Sequence, residues 1–153
     1  AVIAGGPVSS QRVLESRFSD VLSSSLTFLG HVPHASIPAL LSLASVLVYP
    51  APASSHSYFL RDTSPLKLFE YMAAGKPIVA ADLPPLHDVV DDRIVFFSRA
   101  GDANHLADIL SYVLTHPDEA TTSALRAKER VQLYTWTERM KRILSSLSHA
   151  HSQ

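Results

Sequence analysis

Two carboxylates, Asp62 and Glu70, stand with seven residues between them in the run Asp62-Thr63-Ser64-Pro65-Leu66-Lys67-Leu68-Phe69-Glu70. An ionised carboxylate only accepts hydrogen bonds and can grip two vicinal hydroxyls, so a pair brought to one cleft suits ligand binding. Glu70 falls on a helix with little other reason to carry charge. Lys67 lies three residues before it, on the same helical stripe. That stripe must reach water or a ligand, because an unpaired buried charge is very costly. The competing interpretation is a Lys67–Glu70 ion pair on a solvated edge, worth about 0.3 kcal/mol, with Asp62 an ordinary loop residue.

The element that carries Glu70 is well bounded. Ser64 is a good N-cap, Pro65 suits the first helical position, and Gly75 can close the helix in a left-handed C-cap before Lys76 and Pro77. Leu66, Leu68, Phe69, Tyr71, Met72, Ala73 and Ala74 leave almost no polar face, so the expected helix is buried between a sheet and a second layer.

Around it, short apolar runs alternate with helical patterns, the signature of βα units and a parallel sheet covered on both faces. The expected strands are residues 2–4, 26–29, 46–49, 78–81 and 94–97. The expected helices are residues 9–20, 37–43, 65–74, 84–89, 119–134 and 136–148, with one more around Leu106, Ile109, Leu110, Val113 and Leu114 that Asp102 should cap. On the last helix, Trp136, Met140, Ile143, Leu144 and Leu147 share a face. The connection from Ala51 to Thr63 is far longer than the roughly two to six residues of ordinary βα loops. In open α/β sheets ligands sit beyond the carboxyl ends of the strands, and this loop, the helix start and Glu70 all belong at that edge.

Composition narrows the function classes. The 153 residues, 46% hydrophobic and 18% charged, suffice for a single globular domain over residues 1–153. Thirteen basic against fourteen acidic residues exclude the electrostatic footprint of a nucleic-acid binder. The absence of cysteine excludes disulfides, thiol catalysis and cysteine-ligated zinc, and it fits a cytoplasmic setting. No apolar run is long enough to span a bilayer. The chain opens on an apolar strand without a methionine, and the expectation is a fragment of a larger protein.

The ordered series Gly30-His31-Val32-Pro33, the stretch from Ile37 to Pro50, Asp62 to Glu70, Tyr71 to Val90 and Tyr134-Thr135-Trp136 resembles the C-terminal, donor-binding half of retaining GT-B glycosyltransferases. This group includes glycogen synthase-like and phosphatidylinositol mannosyltransferase-like enzymes. The resemblance covers nearly the whole chain. It implies a Rossmann-like, doubly wound α/β domain, truncated at its N-terminus, that binds a nucleotide-diphosphate sugar and faces an N-terminal acceptor-binding domain of the same polypeptide. Any peripheral membrane association would run through that other domain. The implied reaction is transfer of a hexose with retention, without a bound metal or cofactor.

The family's Glu-x7-Glu signature matches Asp62 and Glu70. The resemblance implies that Glu70 holds the ribose hydroxyls and Asp62 the donor sugar, with Asp in place of Glu as a departure. Backbone N–H groups and side chains near Ser64, Pro65, Leu66 and Lys67 would cradle the diphosphate, although Pro65 has no N–H to give. Gly30 and Val32 match the loop beside the base; a plain strand-to-helix turn explains them equally well. Family residues upstream of the first strand, an Arg and a Lys for the donor phosphates, have no counterpart here, and the isolated chain is expected to transfer nothing.

Two alternatives share the donor but not the reaction: a catalytically inactive sugar-nucleotide-binding or scaffold module, and a GT-B-shaped sugar-nucleotide epimerase. A dinucleotide oxidoreductase is disfavoured because Gly5-Gly6-Pro7-Val8 does not supply G-x-G-x-x-G. His31 and His34, and His149 and His151, lack the accompanying carboxylates of a metal site. No Gly-x-Ser-x-Gly elbow marks a hydrolase.

Overall fold

The alternation of short β-branched runs with amphipathic helices folds into parallel strands crossed by helices. The computed structural model describes residues 1–18, 25–52 and 65–150. Asp62 and Ser64 lie outside the described residues. Two compact units divide the chain, Ala1–Leu40 and Leu41–Gln153.

In the first unit, β1 (Val2–Ala4) pairs in parallel with β2 (Thr27–Gly30), and α1 (Val8–Arg17) connects toward it. The Gly5 N–H donates to the Gly30 carbonyl at 2.6 Å and extends the pairing past the strand ends. Gly30 adopts φ 63°, a left-handed backbone that favours glycine, while the one close neighbour of a Cβ there would be the movable end of Gln11 at 2.9 Å. A short 3₁₀ turn, His34–Ser36, leads into α2 (Ile37–Ser42), within which the two units meet in sequence.

The second unit carries β3 (Leu47–Tyr49), β4 (Ile78–Ala81) and β5 (Phe96–Ser98), all parallel, with β4 in the centre. Successive β4 side chains face opposite ways, and each face meets a helical layer. Ile78 and Ala80 pack with Leu68 and Met72 of α3 (Leu66–Ala74), while Val79 packs with Val113 of α5 (Ala103–Thr115). Between them along the chain lies α4 (Pro84–His87). The helix α6 (Pro117–Arg130) serves both layers, Ala120 on the Val79 side and Ala127 on the Ile78 side. A 3₁₀ turn, Val131–Tyr134, then leads to α7 (Trp136–Ala150), whose apolar stripe faces outward, Trp136 being 81% exposed. Among the described residues no helix is long and apolar enough to cross a membrane.

The doubly wound parallel architecture is the expected one, but several boundaries move. The last strand starts at Phe96, two residues after the expected Ile94. Ile94 and Val95 are buried in a turn whose N–H groups donate to the Asp91 carbonyl at 3.0 and 3.1 Å. An apolar pair in a buried turn has the same sequence signature as a strand start. The helix expected at residues 119–134 starts two residues earlier, with Pro117 in its first turn, and gives way to the tighter 3₁₀ turn after Arg130.

The caps follow local chemistry. Gly75 closes α3 with φ 64° and ψ 36° and donates its N–H to the Met72 carbonyl. A Cβ there would stand 3.1 Å from Lys128 Cδ, a flexible side chain, so the main penalty of Gly75→Ala is the left-handed backbone. The substitution should lower stability by about 1–2 kcal/mol, read as a reduced urea midpoint.

Asp102 caps α5 as expected: its Oδ1 accepts the His105 N–H at 2.9 Å, and its Oδ2 meets Arg99 Nε at 3.3 Å. The His105 N–H, aided by the Arg99 charge, holds the Asp102 carboxyl below the usual carboxylate range. Its folded value is therefore below its unfolded one. The stabilisation is complete above the unfolded carboxyl range near pH ~4 and is lost as pH falls through the folded value. Asp102→Asn should flatten the acid limb of stability, measured as the urea midpoint against pH from about 5 to 2. An unchanged limb would show that this cap does not contribute to acid unfolding.

Candidate functional site

Because α3 follows β3, its first turn lies at the carboxyl edge of the three-stranded sheet. Leu68 and Met72, one turn apart, are fully buried and press the helix onto β4, and the Tyr71 hydroxyl reaches back to the Val48 carbonyl at 3.5 Å. Burial, then the charges of Glu70 and Tyr49, push the Tyr71 hydroxyl above its usual range, so it stays a protonated donor.

The side of α3 that carries Lys67 and Glu70 is open, as the sequence requires of a charged stripe, while Phe69 on another side packs against Tyr134 with ring centroids 5.0 Å apart. Leu66 is 68% exposed, and Lys67, Glu70 and Ala73 are exposed as well. Leu66, Glu70 and Ala73 follow at i, i+4 and i+7 and make one outward stripe. A sheet face can bury only one side of a helix, which two large residues accomplish here. Glu70 takes part in none of the ion pairs among the described residues, so the Lys67–Glu70 pair of the competing interpretation is absent.

Pro65 stands at the N-cap, with φ −82° and ψ 47°, rather than at the first helical position. Its carbonyl accepts the Leu68 N–H at 2.9 Å. The Leu66 and Lys67 N–H groups therefore form the start of the helix, where no intrahelical acceptor exists for them. With the Lys67 ammonium they provide local positive potential, one turn from Glu70.

Of the residues expected to act together, Pro65, Leu66, Lys67 and Glu70 gather on the first turn and a half of α3. Gly30 and Val32 belong to the first unit, Val32 half-buried just beyond β2. A cleft of about 170 Å³ opens at the carboxyl edge between Pro50, Ala51, Ala81, Ser98, Asp102 and Leu106. Two larger concavities, of about 440 and 490 Å³, lie away from this edge; the first is lined by Asp91, Arg93, Arg126 and Arg130, and the second borders the amino ends of β3 and β4.

One feature of this edge escaped the sequence reading. His87 Nε2 and Asp82 Oδ1 are 2.7 Å apart, and the imidazole stacks on Phe97 with ring centroids 4.5 Å apart. Asp82 follows the last residue of β4 directly. The detectable signal was an Asp five residues before a His, with a Pro-Pro corner between.

A family model for glycosyl transferase-like domains matches residues 3–145. The chain belongs to this family. Solved structures agree in fold. Anabaena HepE, crystallised with UDP-glucose, superposes with a TM-score of 0.76 at 23% identity over 97% of this chain and 40% of its own. The sucrose-phosphate synthase of Thermosynechococcus elongatus gives 0.72 at 26% identity, covering 97% of this chain and 38% of that one. A glycosyltransferase from Rickettsia africae gives 0.73 at 15% identity, covering 94% and 38%. No curated protein matches by sequence. The Rossmann-like GT-B architecture implied by the sequence resemblance is thus the one these neighbours share, and the chain spans about 40% of the HepE chain.

Proposed function

We propose that this chain is the donor-binding part, a single domain over residues 1–153, of a glycosyltransferase that moves a hexose from a nucleotide-diphosphate sugar to an acceptor, with retention and without a bound metal. Glu70 accepts hydrogen bonds from the ribose hydroxyls. Asp62 orients the donor sugar. The N–H groups of Leu66 and Lys67 and the Lys67 ammonium receive the diphosphate as the bond from the sugar C1 to the leaving phosphate oxygen breaks, with Ser64 and Pro65 shaping the turn before them. Preorganised donors aimed at developing charge are an effective way to lower such a barrier. Gly30 and Val32 adjoin the base. A second domain of the same polypeptide supplies the acceptor, and the setting is cytoplasmic.

The observation that carries this reading is Glu70: a charge on the open stripe of α3, in none of the described ion pairs, one turn from a helix N-terminus at the sheet's carboxyl edge. HepE was solved with UDP-glucose, which makes that donor the first to test. Titration calorimetry of the intact protein with UDP, GDP, ADP and their glucose conjugates should find one series that binds. In turnover assays, Asp62→Ala should lower kcat more than it raises the donor KM. Failure of all three series to bind would defeat the proposal.

A further inference from the structure

We infer that Asp82 and His87 form a second recognition element at the same edge, which reads a hydroxyl of the donor sugar; this rests on the donor-binding function proposed above. The backbone there is rigid. Every β4 residue is buried, and the Asp82 N–H donates to the Ser98 carbonyl at 2.7 Å, carrying the β4–β5 ladder one step beyond β4. Pro84 and Pro85 then turn the chain through α4, anchored by the buried Leu83 and Leu86, and this returns His87 to Asp82. Stacking on Phe97 holds the ring in place.

A carboxylate only accepts hydrogen bonds, so Nε2 carries the hydrogen of the bond to Asp82, and in the tautomer with that hydrogen alone Nδ1 is a lone-pair acceptor. Both side chains are about half exposed, at 49% and 56%. A polar side-chain contact that open stabilises a fold very little, so fastening α4 is a weak reason for the arrangement. Among the described residues no third His, Asp or Glu joins the pair to complete a metal site. The Asp82 charge repels phosphate, so the ligand that fits is a neutral polyol whose hydroxyl donates to Nδ1. In this scheme His87 touches the sugar, and Asp82 is a positioning residue acting through it.

Calorimetric titration of the intact protein with UDP, GDP, ADP and their glucose conjugates tests this. For the diphosphate that binds, His87→Ala should raise the Kd of the glucose conjugate about five- to tenfold and leave that of the free diphosphate within about twofold, the loss expected for one neutral hydrogen bond. Asp82→Asn should give a smaller loss of the same selectivity. In the double variant the two losses should not add, because both act through one bond. Glu70→Ala should instead weaken diphosphate and conjugate alike. If His87→Ala affects both ligands equally, or neither, while Glu70→Ala weakens both, this inference is overturned and the donor-binding reading stands. If no diphosphate binds, both fall. Far-UV circular dichroism of each variant checks that the fold is retained.

Discussion

Replacing Glu70 with Ala is expected to weaken binding of the cognate nucleoside diphosphate by about 10- to 100-fold while leaving stability within about 0.5 kcal/mol of the parent. The two halves of this result have separate causes. Hydrogen bonds to a charged acceptor contribute about 1.5–3 kcal/mol each when the partner is a ligand that has left water. The fold, in contrast, makes little use of this carboxylate, which is exposed and takes part in none of the described ion pairs. Glu70→Gln, which keeps one acceptor oxygen, should fall between parent and Ala. Calorimetry for binding and urea unfolding for stability read the two effects separately. Parent-like diphosphate affinity in Glu70→Ala would remove this residue from the site, and a large stability loss would recast it as structural.

Leu68→Ala should produce the opposite profile, a loss of about 2–5 kcal/mol of stability. Leu68 is fully buried among Met72, Ile78 and Ala80, and its truncation leaves a cavity where α3 meets the sheet. Domains of this size are stable by only about 5–15 kcal/mol, so this one change removes a large share. Leu66→Ala, two residues away on the open stripe, should change stability by under about 0.5 kcal/mol. The contrast is measured as the difference in urea midpoints at constant m. Equal effects at the two positions would mean that α3 does not sit on β4 as described. Because the same helix carries Glu70 and the N–H groups proposed to receive the diphosphate, any ligand affinity lost in Leu68→Ala should return when the protein is titrated far below its unfolding midpoint.

Much of the frame was legible from local rules. Alternating apolar runs and helical stripes specify parallel βα units because strand and helix periods differ and each must hide its own apolar face. Gly75 and Asp102 end and begin helices where backbone geometry and capping chemistry demand it, and both do so as read from sequence. The strand edges were less legible. Ile94 and Val95 are as apolar as strand residues, but the Asp91 carbonyl captures their N–H groups, a pairing that depends on where the chain turns.

The sequence by itself determined the α/β alternation, the helix that bears Glu70 and the ordered motifs of a glycosyl transferase-like chain, since these follow from short-range periodicity and spacing. Tertiary structure alone decided that Leu66 joins the open stripe of α3, that Lys67 and Glu70 form no ion pair with each other, and that His87 turns back onto Asp82 and Phe97. Those outcomes depend on which surfaces a sheet can cover and which side chains a rigid corner brings together, and no local pattern encodes either.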